Sequence, residues 1–172
     1  ATNMLKEFTG RVQKGEHLLF DDMVAAANFV FDENTPKVEI EAFLVALSAK
    51  GETAQEVAGL ATVMRANAVE VSVPEGLYID NCGTGGDGLQ SFNISTTSAF
   101  VMAGAGLLVA KHGNRKISSL SGSSDVLEAL GIGLLGSVEE TQTLLAQEGI
   151  AFLHAPNMHP KLGRIGEVRR AI

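Results

Sequence analysis

The sequence predicts an α/β protein: a small amino-terminal all-helical domain followed by a parallel α/β domain that reads as truncated. Three observations predict it. Apolar residues recur at helical spacing through the first seventy residues. From Leu77 onward, short apolar runs alternate with polar loops and helical stretches in the order strand, loop, helix, strand, loop, helix, which implies parallel strands joined by crossovers. Only three such strands can be found, so the sheet looks unfinished. The boundary is placed between residues 72 and 73, giving a helical domain over 1–72 and the first part of an α/β domain over 73–172.

Taken in order, three or four short helices are expected before residue 70. Leu18-Leu19-Phe20 stands before Asp21 and Asp22, after which Met23, Val24, Ala27, Val30 and Phe31 keep a helical period. Thr35-Pro36 opens the next helix, with proline at a first helical position where no bond is lost, and Lys50-Gly51 ends it. Thr53 with Glu56 three residues on is a capping box ahead of Val57, Leu60 and Val63. A short strand from Leu77 to Asp80 then runs into the loop Gly83-Thr84-Gly85-Gly86-Asp87-Gly88. There follow a helix from Ser95 to about Ala103, a strand from Leu107 to Ala110, a polar loop and a helix from Ser124 to Leu130. Val138 to Glu148 reads as a helix, Ile150 to Leu153 as a strand, and Met158 to Arg170 as a last helix.

Composition narrows the function. At 172 residues, 45% hydrophobic and 19% charged, the chain can close a sizeable core, and its single Cys82 excludes a disulfide framework. A net charge of −7 opposes general binding to nucleic acid or anionic lipid. The longest apolar run, Ala99 to Ala110, is broken by Gly104 and Gly106 and is too short to span a bilayer. The first residues carry no export signal, so a cytoplasmic location is expected.

Against that acidic background, Gly88 to Ser124 contains no Asp or Glu in 37 residues, but holds Lys111, Arg115 and Lys116 and ten Ser or Thr. Hydroxyls, glycine N–H groups and a few cations are what a phosphate requires. Three loops carry this chemistry. The glycines of 83–88 can turn successive N–H groups inward, with Asp87 free to accept from ribose hydroxyls, although a bare turn explains such a cluster as readily. It is neither a Walker loop nor a dinucleotide fingerprint, since the Gly-Lys-Ser/Thr ending and the required glycine spacing are both missing. Asn93-Ile94-Ser95-Thr96 lies where a helix begins, so its hydroxyls either face an anion or simply cap the helix. Lys111-His112-Gly113-Asn114-Arg115 follows the second strand and reads either as a phosphate and ligand contact or as a surface turn with two solvated cations.

With Ser118, Ser119 and Ser123 behind them, these loops resemble the active-site signature of the anthranilate phosphoribosyltransferase family. The resemblance rests on Asp80 to Gly88, Phe92 to Thr96, Val109 to Arg115 and Ser121 to Asp125, and extends to Ala155-Pro156-Asn157, His159-Pro160 and Val168-Arg169-Arg170. It implies transfer of 5-phosphoribosyl from phosphoribosyl pyrophosphate to the amino group of anthranilate, in tryptophan biosynthesis. It further implies that Gly83, Gly86, Asp87, Ser91, Asn93, Ile94, Ser95, Thr96, Lys111, His112, Gly113, Asn114, Arg115, Ser118, Ser119 and Ser123 hold the donor. Gly83, Asn114 and Arg169 would contact anthranilate, Arg169 through its carboxylate. Mg2+ is the implied cofactor, with Ser95 as one ligand, and a homodimer through the helical domain is the implied assembly. No residue is assigned as nucleophile or general base. His154 and His159 are candidates to line the acceptor pocket.

Two alternatives follow from the same residues. A pyrimidine-nucleoside phosphorylase would share the layout and use phosphate as nucleophile. A non-catalytic phosphate-ligand module would bind the donor without turnover. The family runs to about twice this length and carries a downstream Asp-Glu pair that holds further magnesium. The 172 residues alone are therefore expected to be catalytically weak or inactive.

Overall fold

The structure is a computed structural model that describes residues 4–73, 75–83, 92–115, 122–134 and 136–171, excepting the side chains of residues 164, 167 and 169–171. The helices before residue 70 are α1 (Met4–Gln13), α2 (Phe20–Phe31), α3 (Lys37–Lys50) and α4 (Ala54–Ala66). Next come β1 (Tyr78–Ile79), α5 (Ile94–Gly104), β2 (Leu108–Gly113) and α6 (Ser123–Ala129). The chain closes with α7 (Val138–Glu148), β3 (Ile150–His154), α8 (Ala155–Met158) and α9 (Pro160–Ala171).

Two compact units result, one of Ala1–Ala68 with His159–Ile172, the other of Val69–Met158. The sequence boundary at 72/73 thus moves to 68/69, and the last helix, expected with the α/β half, belongs to the helical unit. The reason is burial. Ile165 and Val168 of α9 enter the same apolar cluster as Leu5, Phe8, Val12, Met23, Val30, Ile40 and Phe43. That last helix starts at Pro160 and not at Met158, which instead ends the short α8; proline suits a first helical position because it has no N–H to leave unpaired there. Pro36 departs from expectation by one residue. With ψ at 136° it is the N-cap of α3, and its carbonyl accepts the first helical bonds from Glu39 and Ile40.

In the helical unit, α4 starts on the expected capping box: Thr53 accepts from Glu56 N–H at 3.3 Å, and Glu56 accepts from Thr53 N–H at 2.8 Å. Glu56 does more than cap. Fully buried, it also accepts Leu18 N–H at 2.9 Å and pairs with Lys50 at 2.8 Å, tying the α1–α2 connection and the end of α3 to α4. Where α4 crosses α2, a Cβ at Gly59 would come within 3.0 Å of Phe20 O and 2.9 Å of Met23 Cβ. Gly59→Ala is therefore expected to destabilise by about 1–3 kcal/mol although alanine is the better helix former. A lower urea midpoint at unchanged slope checks this.

The same unit carries a surface depression of about 360 Å³ with Asp32, Glu33 and Lys161 on its wall, where Lys161 Nζ donates to Asn67 Oδ1 at 2.5 Å. Its mixed charge makes it a poor anion site.

The second unit is a parallel sheet in the order β1-β2-β3. Tyr78 pairs with Leu108 and Ile79 with Val109, while Val109 to Gly113 pair with Ile150 to His154. The strand expected over 107–110 thus runs to Gly113, because β3 supplies a partner along its whole length. Phe100 of α5 stacks obliquely on Phe152 of β3, with ring centroids 5.2 Å apart. Among the described residues, no helix is long and apolar enough to cross a membrane.

Candidate functional site

In a parallel sheet the ligand end lies beyond the carboxyl termini of the strands. Asp80 to Gly83 leave β1 there, and Asn114 and Arg115 leave β2 there. Asn81 hooks its loop onto α5, donating from Nδ2 to Ser95 O at 2.8 Å and to Ser98 Oγ at 2.9 Å. Among the described residues, a Cβ built at Gly83 meets nothing within 4 Å.

The start of α5 resolves one alternative. The N-cap is Asn93, without a side-chain cap bond, and Ser95 and Thr96 lie inside the first turn, so neither caps the helix. Ile94 N–H turns back to Phe92 O at 2.7 Å. The N–H groups of Ser95 and Thr96 find no acceptor among the described residues, leaving two donors at the positive end of the helix dipole. The Thr96 hydroxyl is buried without a hydrogen-bond partner there, as are Asn81 Oδ1 and Tyr78 OH. Buried polar groups are rarely left without a partner.

Lys111 is the strongest feature of the site. It was expected on a loop after the second strand, as a phosphate contact or a solvated cation. Instead it sits within β2, on the face it shares with Val109, and is only 1% exposed. Its Nζ makes a single long hydrogen bond, to His112 O at 3.3 Å, and no carboxylate pairs with it among the described residues. A buried ammonium in this state is costly unless an anion completes its surroundings.

Arg115 behaves differently. Its guanidinium is engaged in two bonds with Glu128 of α6, at 2.6 and 2.8 Å, with Asp125 at 3.5 Å. Carboxylates beyond residue 124 thus reach into the stretch that lacks them in sequence. The Glu128 carboxyl is held below its usual range chiefly by that hydrogen bond.

Gly113, Asn114 and Ser123 form one tight joint. Ser123 Oγ accepts Asn114 N–H at 3.1 Å and lies so close to Gly113 that a Cβ there would come within 3.1 Å of Ser123 Cβ. This brings the start of α6 against the end of β2. Ser124 adds a hydroxyl contact to His154 Nδ1 at 3.0 Å, and burial, the nearby Arg115 charge adding to it, lowers the His154 pKa and favours the neutral ring.

Of the expected donor-binding residues, Gly83, Asn93, Ile94, Ser95, Thr96, Lys111, His112, Gly113, Asn114, Arg115 and Ser123 all fall in this one unit. Gly86, Asp87, Ser91, Ser118 and Ser119 lie outside the described residues, as does the side chain of Arg169, whose backbone is in α9 of the helical unit. Sequence reasoning gave no role to Asp80. Its Oδ1 accepts from Cys82 N–H at 3.0 Å and His112 N–H at 3.2 Å, while Oδ2 meets His112 Nδ1 at 2.8 Å. The only trace of this in sequence is an acid closing an apolar strand just before a glycine loop.

No cluster of three metal-binding side chains exists among the described residues. The Ser95 hydroxyl, at the mouth of α5, makes no hydrogen bond among them and can supply one oxygen. Mg2+ commonly takes only one or two protein oxygens and completes its octahedron with phosphate and water.

Comparison with known proteins fits this architecture. Residues 6–68 match the model of the glycosyl transferase family, helical bundle domain, and residues 75–172 that of the glycosyl transferase family, a/b domain. An anthranilate phosphoribosyltransferase of Exiguobacterium sibiricum is 57% identical over 166 residues, 96% of this chain and 49% of the relative. That of Bacillus cereus is 49% identical over 168 residues, 98% of this chain and again 49% of the relative. Among solved structures, anthranilate phosphoribosyltransferase from Thermus thermophilus superposes with a TM-score of 0.86 at 36% identity, covering 95% of this chain and 50% of that one. The Saccharomyces cerevisiae enzyme in complex with PRPP and Mg gives 0.88 at 26% identity, covering 99% and 52%. The chain spans about half the length of the relatives it matches. With both of its domain models matched in order, the chain belongs to the glycosyl transferase family.

Proposed function

We propose that the protein containing this chain transfers the 5-phosphoribosyl group from phosphoribosyl pyrophosphate to the amino group of anthranilate, releasing pyrophosphate. The observation that carries this reading is Lys111, a buried cation without a carboxylate partner among the described residues, in the same unit as the open first turn of α5. Identity of 57% to an anthranilate phosphoribosyltransferase supports the choice of acceptor.

The chemistry asks for charge neutralisation and alignment, and no activated nucleophile is required. As the C1–O bond breaks, negative charge grows on the departing pyrophosphate and the sugar becomes oxocarbenium-like. Lys111 and the N–H groups of Ser95 and Thr96 supply fixed positive charge and donors for phosphate oxygens. Asn114, a planar donor and acceptor, contacts the anthranilate. Ser95 would hold Mg2+, which when bound offsets the charge of the leaving group. The same reading includes a homodimer through the helical unit, whose surface exposes Val38 and Val45, and a cytoplasmic location.

The full-length protein tests the reading. Loss of anthranilate fluorescence that requires both phosphoribosyl pyrophosphate and Mg2+ is expected. Phosphorolysis of a pyrimidine nucleoside, or donor binding without anthranilate consumption, would contradict it and favour a phosphorylase or a non-catalytic module.

A further inference from the structure

We propose that Asn81 and Ser98 are positioning residues, which grip the carbonyl ends of the two peptide units whose N–H groups are assigned above to phosphate oxygens. The inference rests on the transfer reaction proposed above and gives a part in it to two side chains outside the expected contact set.

The open donors at the start of α5 belong to two successive peptide units. The N–H of Ser95 shares a plane with the carbonyl of Ile94, and the N–H of Thr96 shares one with the carbonyl of Ser95. In a trans peptide the two groups of a unit point in opposite directions, so whatever holds the carbonyl also aims the N–H. Both carbonyls are held by side chains. Asn81 Nδ2 donates to Ser95 O at 2.8 Å and to Ser98 Oγ at 2.9 Å. Ser98 Oγ directs its own proton to Ile94 O at 2.8 Å, with Ser95 O at 3.2 Å. One amide on the loop after β1 thus reaches both units, one directly and one through a hydroxyl.

Chemistry fixes the orientation of that amide. A carbonyl only accepts, so the nitrogen of Asn81, and not its oxygen, must face Ser95 O. The oxygen is then buried with no partner among the described residues, so the side chain is placed for its two donors. Hydrogen bonds in a chain polarise one another, and a carbonyl that accepts makes the N–H of its own unit a stronger donor. Asn81 and Ser98 therefore set where two N–H groups point and strengthen both. They act through the backbone of α5, which carries their effect to the phosphates of the donor and not to the aromatic acceptor.

The test uses the full-length protein with Asn81→Leu, Ser98→Ala, the pair of these, and Ser98→Thr. Calorimetry with phosphoribosyl pyrophosphate and Mg2+ gives the donor Kd, and steady-state kinetics give the KM for each substrate. Asn81→Leu keeps a branched side chain without its donors and is expected to weaken donor binding roughly tenfold, about what two neutral hydrogen bonds contribute together. Ser98→Ala should weaken it roughly threefold. The KM for anthranilate at saturating donor should move by less than about twofold, a split that general loosening of the fold would not produce. Ser98→Thr keeps the hydroxyl and should stay within about twofold of the parent. The pair should lose less than the product of the single losses, because the two side chains share a bond. If Asn81→Leu does not fold, the comparison of Ser98→Ala with Ser98→Thr carries the test. Unchanged donor affinity, equal losses for both substrates, or losses that multiply in the pair would overturn the inference while leaving the activity intact. A parent protein that makes no phosphoribosyl anthranilate would instead overturn the reading on which it rests.

Discussion

Glu56→Ala is expected to destabilise the chain by about 3–5 kcal/mol, the usual cost of removing one partner from a buried ion pair. The loss has three parts. Among the described residues, Lys50, 5% exposed at its side chain, keeps His17 Nδ1 at 3.0 Å and Gly51 O at 2.8 Å as neighbours for its charge. Leu18 N–H loses its acceptor, and α4 loses half of its capping box. Urea unfolding of the variant and the parent gives the difference directly.

The pH dependence of that loss is a stricter check. Burial alone raises the Glu56 pKa, but the hydrogen bonds from Lys50, Leu18 N–H and Thr53 outweigh it and bring the value down to about 2 from an ordinary 4.5. A carboxyl whose folded pKa is depressed stabilises the fold fully above its unfolded value and loses that contribution as pH falls through the folded one. Glu56 therefore supplies on the order of 3 kcal/mol above pH 4.5 that disappears between about pH 4.5 and 2. Glu56→Ala should flatten stability across that window. A parallel fall in variant and parent would show that other carboxylates govern acid unfolding.

Lys111→Met carries the opposite signature, which separates a ligand-binding cation from a structural one. The methionine fills similar volume without a charge, so the unliganded protein is expected to gain roughly 1–3 kcal/mol in stability, the cost of a buried polar group without full compensation. Donor binding should weaken by about a hundredfold to a thousandfold, as when one preorganised donor is removed from a site of developing charge. Stability gained where function is lost is the usual trade at a site strained for its ligand. Denaturant midpoint and donor titration on the same preparation measure both. A variant both less stable and unimpaired in donor binding would assign Lys111 to the fold.

Local signals were legible in the sequence. The Thr53–Glu56 capping box fixed the start of α4, and α7 was placed over Val138 to Glu148, where Ser137 with Glu140 now proves to cap it in the same way. Leu5, Phe8 and Val12 at helical spacing would have named α1, one of four helices before residue 70 among the described residues. What escaped depends on distant partners. Glu56 meets Leu18 across 38 positions, and Asp80 meets His112 across 32. The attachment of α9 to the helical core likewise rests on faces of α2 and α3 that only folding brings to Ile165 and Val168. The hydroxyl- and glycine-rich loops were visible as chemistry, but the bonding of Arg115 to Glu128 was not, because Glu128 lies outside the acid-free stretch. Lys111 was read as a loop residue because an amphipathic strand is not expected to turn a lysine inward.

A crystal structure of the full-length protein with phosphoribosyl pyrophosphate and Mg2+ decides the matter most directly. A phosphate oxygen within hydrogen-bond distance of Lys111 Nζ, with others on the N–H groups of Ser95 and Thr96, is the predicted result. A donor bound elsewhere, with Lys111 still enclosed and touching only His112 O, would contradict it.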